Sequence, residues 1–141
     1  MNSIRIAELI PHAGSMCLLE RVIEWDDERI VLATATHRSP ENPLRSAGRL
    51  RALHLCEYGA QAMAVHGGLA ALKAGNRAEP GFLVSLRGVA FHVDYVEVLP
   101  GELTVTARRL AALPGSWQYA FEARHASRLL VAGRAVVVAR T

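Results

Sequence analysis

The spacing of apolar residues along this 141-residue chain changes character twice. In the opening "SIRIAELIP", apolar residues recur at Ile6, Leu9 and Ile10, with Ser3 placed to cap and Pro11 to stop a short helix. "MCLLERVIEW" and "ERIVLATATH" then read as strands, joined across Asp26-Asp27 in a hairpin. Two prolines, Ser39, Asn42 and Ser46 make "RSPENPLRSAG" a loop. From about Leu50 to Ala74 apolar and small residues run nearly all the way round a helix: Leu50, Leu53, Ala60, Met63, Val65, Leu69 and Leu72. Gly59, Gly67 and Gly68 lie among them and are expected to let another backbone approach closely, and Gly75 is available for a left-handed cap. Such a helix would be about 35 Å long and buried on most sides. After Glu79 everything is strand-like: "GFLVSLRGVAFHVDYVEV", "GELTVTARRLAAL", "SWQYAFEARHAS" and "RLLVAGRAVVVAR", with turns at Pro100-Gly101, Pro114-Gly115 and Ala126-Ser127.

The order is therefore a short helix, two strands, one long buried helix and about four strands. A single apolar helix among so much sheet is satisfied if the sheet curls about it, an α+β layer architecture over one domain, residues 1–141.

Composition agrees: 51% hydrophobic and 21% charged residues suit one domain with a sizeable core. The longest uncharged run, Tyr58 to Leu72, is shorter than the ~20 residues that span a bilayer, and the start has no continuous apolar stretch, so a soluble, cytoplasmic protein without a membrane role is expected. Cys17 and Cys56 show no CxxC or metal-ligand spacing and read as free buried thiols, so no metal is expected. The net charge of +3 is carried almost wholly by arginine, with Arg38, Arg45, Arg49 and Arg51 grouped before the long helix. Guanidinium forks suit phosphates and carboxylates; the plain alternative is a solvated face. No nucleic-acid motif is present, which leaves an acidic protein or a phosphorylated carrier as the better partner.

One residue needs chemistry to explain it. Glu57 is the single charged side chain in "HLCEYGAQAMAVHGG". A carboxylate there is paired, neutral or used. Burial in an apolar helix would raise its pKa and fit it to donate a proton; an arginine such as Arg87 would instead hold it ionised. Gln61, one turn on, could orient it or merely satisfy backbone, and His54, three residues before it, could form a rival acid–base pair. His37, where the second strand meets the loop, has the pKa range of a general base, or is structural.

Together these residues resemble a known family. "LIPHAGSMCLLERVIEW", "CEYGAQA" and "GVAFHVDYVEVLPGELTV" are similar to the motifs of hot-dog-fold 3-hydroxyacyl-[acyl-carrier-protein] dehydratases of the FabZ type. "PHAGSMCLLERV", "NPLR" and "EYGAQAMAVHG" resemble the ApeP-type dehydratases of aryl polyene gene clusters. The resemblance implies an antiparallel sheet wrapped around one central helix. It also implies a homodimer, or a heterodimer with a homologous dehydratase, in which a His of one chain and the Glu of the other act on an acyl thioester. Glu57 falls on the family's glutamate. The family's "GHFPG" histidine, about fourteen positions earlier, would fall on Pro43, so the nearest upstream candidate is His37.

On that resemblance His37 would take the α-proton and Glu57 would protonate the departing 3-hydroxyl. Gln61 would orient the carboxyl, and backbone N–H groups near Ala52 and Leu53 would receive charge from the thioester oxygen. No cofactor is implied beyond the phosphopantetheine arm of an acyl carrier protein, expected to dock at Arg45, Arg49 and Arg51. His12 matches a position outside the catalytic pair, and His66, His92 and His125 show no constellation. Two rivals stay open: a hot-dog acyl thioesterase, and a subunit that lacks its own base and supports a second dehydratase.

Overall fold

In the computed structural model, residues 4–10, 14–76 and 81–139 are described; Ser3, Pro11 and His12 lie outside them. The opening segment is a 3-10 turn, Ile6–Glu8, that buries Ile6. Strand β1 (Arg21–Trp25) turns back into β2 (Arg29–Thr34). The two aspartates make a tight turn for a local reason: Asp26 Oδ1 accepts the backbone N–H groups of Glu28 at 2.8 Å and Arg29 at 2.9 Å.

Helix α1 spans Leu55–Lys73, about 28 Å at ~1.5 Å per residue. It starts later than the apolar pattern suggests. The backbone at 50–52 is zipped to 94–96: the Val96 N–H donates to the Leu50 carbonyl and the Ala52 N–H to the Asp94 carbonyl, both at 2.9 Å, around an Arg51–Tyr95 bridge. A chain pairing sideways in this way cannot also close a helical turn, and a 3-10 turn, Ala52–His54, makes the transition. The other end is as expected. Gly75 takes φ +79°, and Asn76 and Gly75 donate back to the Ala71 and Leu72 carbonyls, a Schellman cap.

Four strands follow: β3 (Gly81–Phe91), β4 (Leu103–Leu113), β5 (Ser116–His125) and β6 (Arg128–Ala139). The apolar run of the first ends at Phe91, and residues 92–102 form a connection rather than more strand. All neighbours are antiparallel, in the order β1-β2-β4-β5-β6-β3. α1 therefore carries the chain from one side of the sheet to its opposite edge, and the sheet's inner face packs on it. Leu103, Val105 and Ala107 of β4, with Tyr119 and Phe121 of β5, meet Leu55, Tyr58, Ala62 and Val65 in one core. α1 is buried on most sides, as its pattern predicts.

The helix glycines divide into three cases. A Cβ on Gly59 would lie 2.6 Å from Cδ2 of Phe121, so the close approach there is an aromatic ring rather than a backbone. At Gly68 the neighbour is Leu9, whose carbonyl oxygen would stand 3.4 Å away. Among the described residues, nothing beyond the helix itself lies within 4 Å of where a Cβ on Gly67 would be. Among the described residues, no helix is long and apolar enough to cross a membrane.

Candidate functional site

His37 sits on a 3-10 turn, Thr36–Arg38, formed as β2 ends, and is fully buried. Its Nε2 lies 2.9 Å from the Leu99 carbonyl oxygen, and its Nδ1 is buried without a hydrogen-bond partner. Burial holds its pKa below the usual imidazole value; the Leu99 carbonyl works the other way, and Arg38, His125 and Arg45 add to the lowering. The ring is thus neutral near pH 7. With Nε2–H donating to Leu99, the lone pair rests on Nδ1, the form a base requires.

That turn is clamped to α1. Asn42 Nδ2 donates to the Tyr58 hydroxyl and to the Thr36 carbonyl, each at 2.9 Å. The Tyr58 hydroxyl in turn donates to Thr36 Oγ1 at 2.8 Å, which donates to the Leu18 carbonyl at 2.7 Å. Tyr58 is fully buried and follows Glu57 directly in the first turns of the helix. The clamp joins the element that carries His37 to the element that carries Glu57. Sequence reasoning passed over Tyr58. The available signal was a tyrosine in an apolar helix, whose hydroxyl needs a partner when buried, and Asn42 in the preceding loop.

Glu57 is half-buried, between buried Leu55-Cys56 and buried Tyr58-Gly59. Half-buried Ala60, Ala64, Gly67 and Ala71 continue its stripe at three- and four-residue spacing, so this is the helix face the chain covers least. Arg87 is not placed to hold Glu57: β3 directs it, opposite Arg134, to the outer face of the sheet.

Gln61 takes the structural role. Its Oε1 accepts the Leu18 N–H at 2.9 Å and its Nε2 donates to the Met16 carbonyl at 2.7 Å, pinning residues 16–18 to the helix. The amide is engaged with backbone, the alternative to orienting the carboxyl or binding substrate. The Ala52 N–H, expected to face the thioester, is likewise given to Asp94. Leu53 differs, with 55% of its surface exposed beside the helix start. Two of the three arginines expected to dock a carrier also build the loop. Arg45 donates to the Gly48 and His37 carbonyls, and Arg49 pairs with Glu97 at 2.8 Å and lies over the Tyr95 ring at 3.7 Å. Arg51 remains exposed.

His66 has the constellation that its sequence neighbourhood hides. It is buried, with Nδ1 2.7 Å from the Tyr119 hydroxyl and Nε2 2.8 Å from the Asp26 carbonyl, tying α1 to β5 and to the β1–β2 turn. His125 Nε2 lies 2.7 Å from the Pro100 carbonyl. Both cysteines are free, and burial pushes their thiols up, so neither is a thiolate at neutral pH. Among the described residues no cluster of His, Cys, Asp and Glu could hold a metal ion.

The family model of the ApeP-like group, described as ApeP dehydratase, matches residues 4–141. Among solved structures, the dehydratase heterocomplex ApeI:P from Xenorhabdus doucetiae superposes with a TM-score of 0.89 at 21% identity, covering 99% of this chain and 93% of that one. AziG from S. sahachiroi gives 0.61 at 20% identity, over 93% of this chain and 97% of the other. A hypothetical thioesterase from Streptococcus pneumoniae, solved with coenzyme A, gives 0.61 at 10% identity, over 85% and 84%. At these identities the likenesses establish the hot-dog fold. No curated protein matches the sequence.

Proposed function

The chain belongs to the ApeP-like dehydratase family, and from that premise we propose that it dehydrates a 3-hydroxyacyl thioester carried on an acyl carrier protein. The observation that supports this most is a neutral imidazole, His37, with an unpartnered Nδ1, clamped through Tyr58 to the helix turn that bears Glu57.

In the proposed reaction His37 removes a proton from the carbon next to the thioester carbonyl. The electron pair forms the new double bond as the C3–O bond breaks, and Glu57 protonates the leaving hydroxyl, so that water departs and a trans-2-enoyl thioester remains. The imidazolium returns its proton to the Glu57 carboxylate and the site is reset. A positioned acid or base of this kind contributes ~10²–10⁴ in rate. Exposed Leu53 is the remaining contact for the acyl thioester, and exposed Arg38 and Arg51 for the carrier's phosphate, in place of the engaged Arg45 and Arg49.

The acid and base of one site come from different chains in this reading, with a second subunit closing over the Glu57–Ala71 stripe: His37 of one copy meets Glu57 of the other in a homodimer, and in a heterodimer each works with the corresponding residue of the partner. We assign that subunit to a homologous dehydratase, in keeping with the heterocomplex character of the ApeI:P structure. A second reading, in which the partner supplies the base and this chain supports it, is favoured by one observation: Nδ1 of His37 is enclosed, so substrate must displace its cover.

The test is to load a carrier protein with a 3-hydroxyacyl chain and follow the acyl mass, with this protein alone and with a homologous dehydratase added. Loss of one water from the acyl group is the expected result. Free acid without enoyl product would turn the reading to a thioesterase, and a rate of water loss in the heterodimer that does not fall when His37 is replaced would assign the base to the partner.

A further inference from the structure

Strand register carries a row of arginines across the outer face of the sheet. Arg29 of β2 stands opposite Arg108 of β4, which stands opposite Ala120 of β5; Ala120 is opposite Arg134 of β6, and Arg134 is opposite Arg87 of β3. Residues directly opposite share a face. This face points away from α1, since the alternate residues Ala107, Phe121 and Ala135 are buried in the core.

Arg29 pairs with Glu24. Arg87, Arg108 and Arg134 are exposed, and among the described residues none of the three has a carboxylate partner. Arg108 and Arg134 line a trough of about 410 Å³, together with the small residues Gly88, Ala90, Ala120 and Ala132; Arg87 stands beside it, opposite Arg134. Glu122, at the side of the trough, is already held by Arg124. Like charges directly opposite on a sheet destabilise it, and at Arg134–Arg87 neither charge is answered, whereas Arg29 opposite Arg108 already has Glu24. The fold gains nothing from such pairs, whereas a bound anion would relieve them.

The spacing selects the partner. Strands lie ~4.8 Å apart, so Arg108 and Arg134 stand about 10 Å apart and Arg87 about 5 Å further on. An α-helix laid across the strands brings residues i, i+7 and i+11 to one face at about 0, 10 and 16 Å along its axis. An extended segment repeats on one face only every ~6.6 Å. The trough also lacks an outward-facing aromatic on which a nucleic-acid base could stack, because Phe121 lies buried beneath it. We propose that this outer face is a docking surface for an acidic helix of another protein, lying across β4, β5, β6 and β3 with its carboxylates on Arg108, Arg134 and Arg87.

The test uses a fluorescent alanine-rich helical peptide with glutamates at i, i+7 and i+11. Its control has the same composition with the glutamates spread around the helix. Wild-type protein should bind the patterned peptide about tenfold more tightly than the control at low salt, and Arg108→Ala/Arg134→Ala should abolish that preference. The same double variant should melt at the wild-type temperature or above, because it removes opposed like charges. Equal binding of both peptides, tighter binding of a single-stranded oligonucleotide or of anionic lipid vesicles, or a fall in melting temperature of the double variant would each overturn the proposal.

Discussion

Replacing Gly59 by alanine puts the account of the helix–sheet contact to a sharp test, because two effects of known size oppose each other. Alanine is the better helix former, by ~0.5–1 kcal/mol over glycine in a helix interior. The added Cβ, however, would lie 2.6 Å from Cδ2, 2.9 Å from Cγ and 3.3 Å from Cβ of Phe121. These atoms are the root of the side chain and cannot swing away as a flexible tip would. The far end of the ring is confined as well, since its Cε1 and Cζ stand 3.2 Å from the Cβ position of Gly133 on β6. Phe121 is thus wedged between two glycines. Overpacking a filled core costs ~1–3 kcal/mol, and with this geometry we place Gly59→Ala toward the upper part of that range. After subtracting the propensity gain, the net loss is ~1–2 kcal/mol, a fall of about 4–8 °C in Tm at ~4 °C per kcal/mol for a chain of this size. Urea unfolding followed by the fluorescence of Trp25 and Trp117, at one protein concentration, reads the change as a lower midpoint at unchanged slope. A Gly59→Ala protein as stable as wild type, or more so, would refute the wedge.

Three further outcomes follow from the site. Tyr58→Phe removes the hydroxyl that joins Asn42 to Thr36 and should cost ~1–3 kcal/mol in the same unfolding experiment, while lowering kcat more than it raises KM; a fall in stability with unchanged kcat would leave the clamp no part in positioning His37. His37 and His66 both have pKa values lowered by burial, so the unfolded chain binds more protons than the folded one below about pH 6.5; stability should be complete above that pH and decline as pH falls through it, and a flat profile from pH 7.5 to 5.5 would contradict this. Among the described residues a Cβ on Gly67 meets nothing, so Gly67→Leu should leave the protomer folded, while weakening its association with a homologous dehydratase as measured by analytical ultracentrifugation; undiminished pairing would place the partner elsewhere.

The strands and turns were legible because their causes are local. Asp26 caps its own turn through its side chain, and Gly75 closes the helix with bonds to residues three and five back. The helix start was not legible. Leu50 and Ala52 follow the helical pattern, but Val96 and Asp94, more than forty residues away, claim their backbone. The bonds of Gln61 and Ala52 were hidden for the same reason: their partners at Met16, Leu18 and Asp94 are distant in sequence. Glu57 stood out because a charge in an apolar run is visible without a fold. Tyr58 did not, because a tyrosine there looks like ordinary core until Thr36 and Asn42 arrive at its hydroxyl. The arginine row is the extreme case. Its members are separated by dozens of positions, and only register aligns them.

The central claim is that Glu57 gives its proton to the leaving hydroxyl. The most direct measurement is the single-turnover rate of water loss from a carrier-bound 3-hydroxyacyl chain, for wild type and Glu57→Gln, each paired with the same homologous dehydratase whose own glutamate has been replaced by glutamine. The account predicts a rate for Glu57→Gln lower by ~10²–10⁴ with the fold intact. A Glu57→Gln rate within a few-fold of wild type would contradict it.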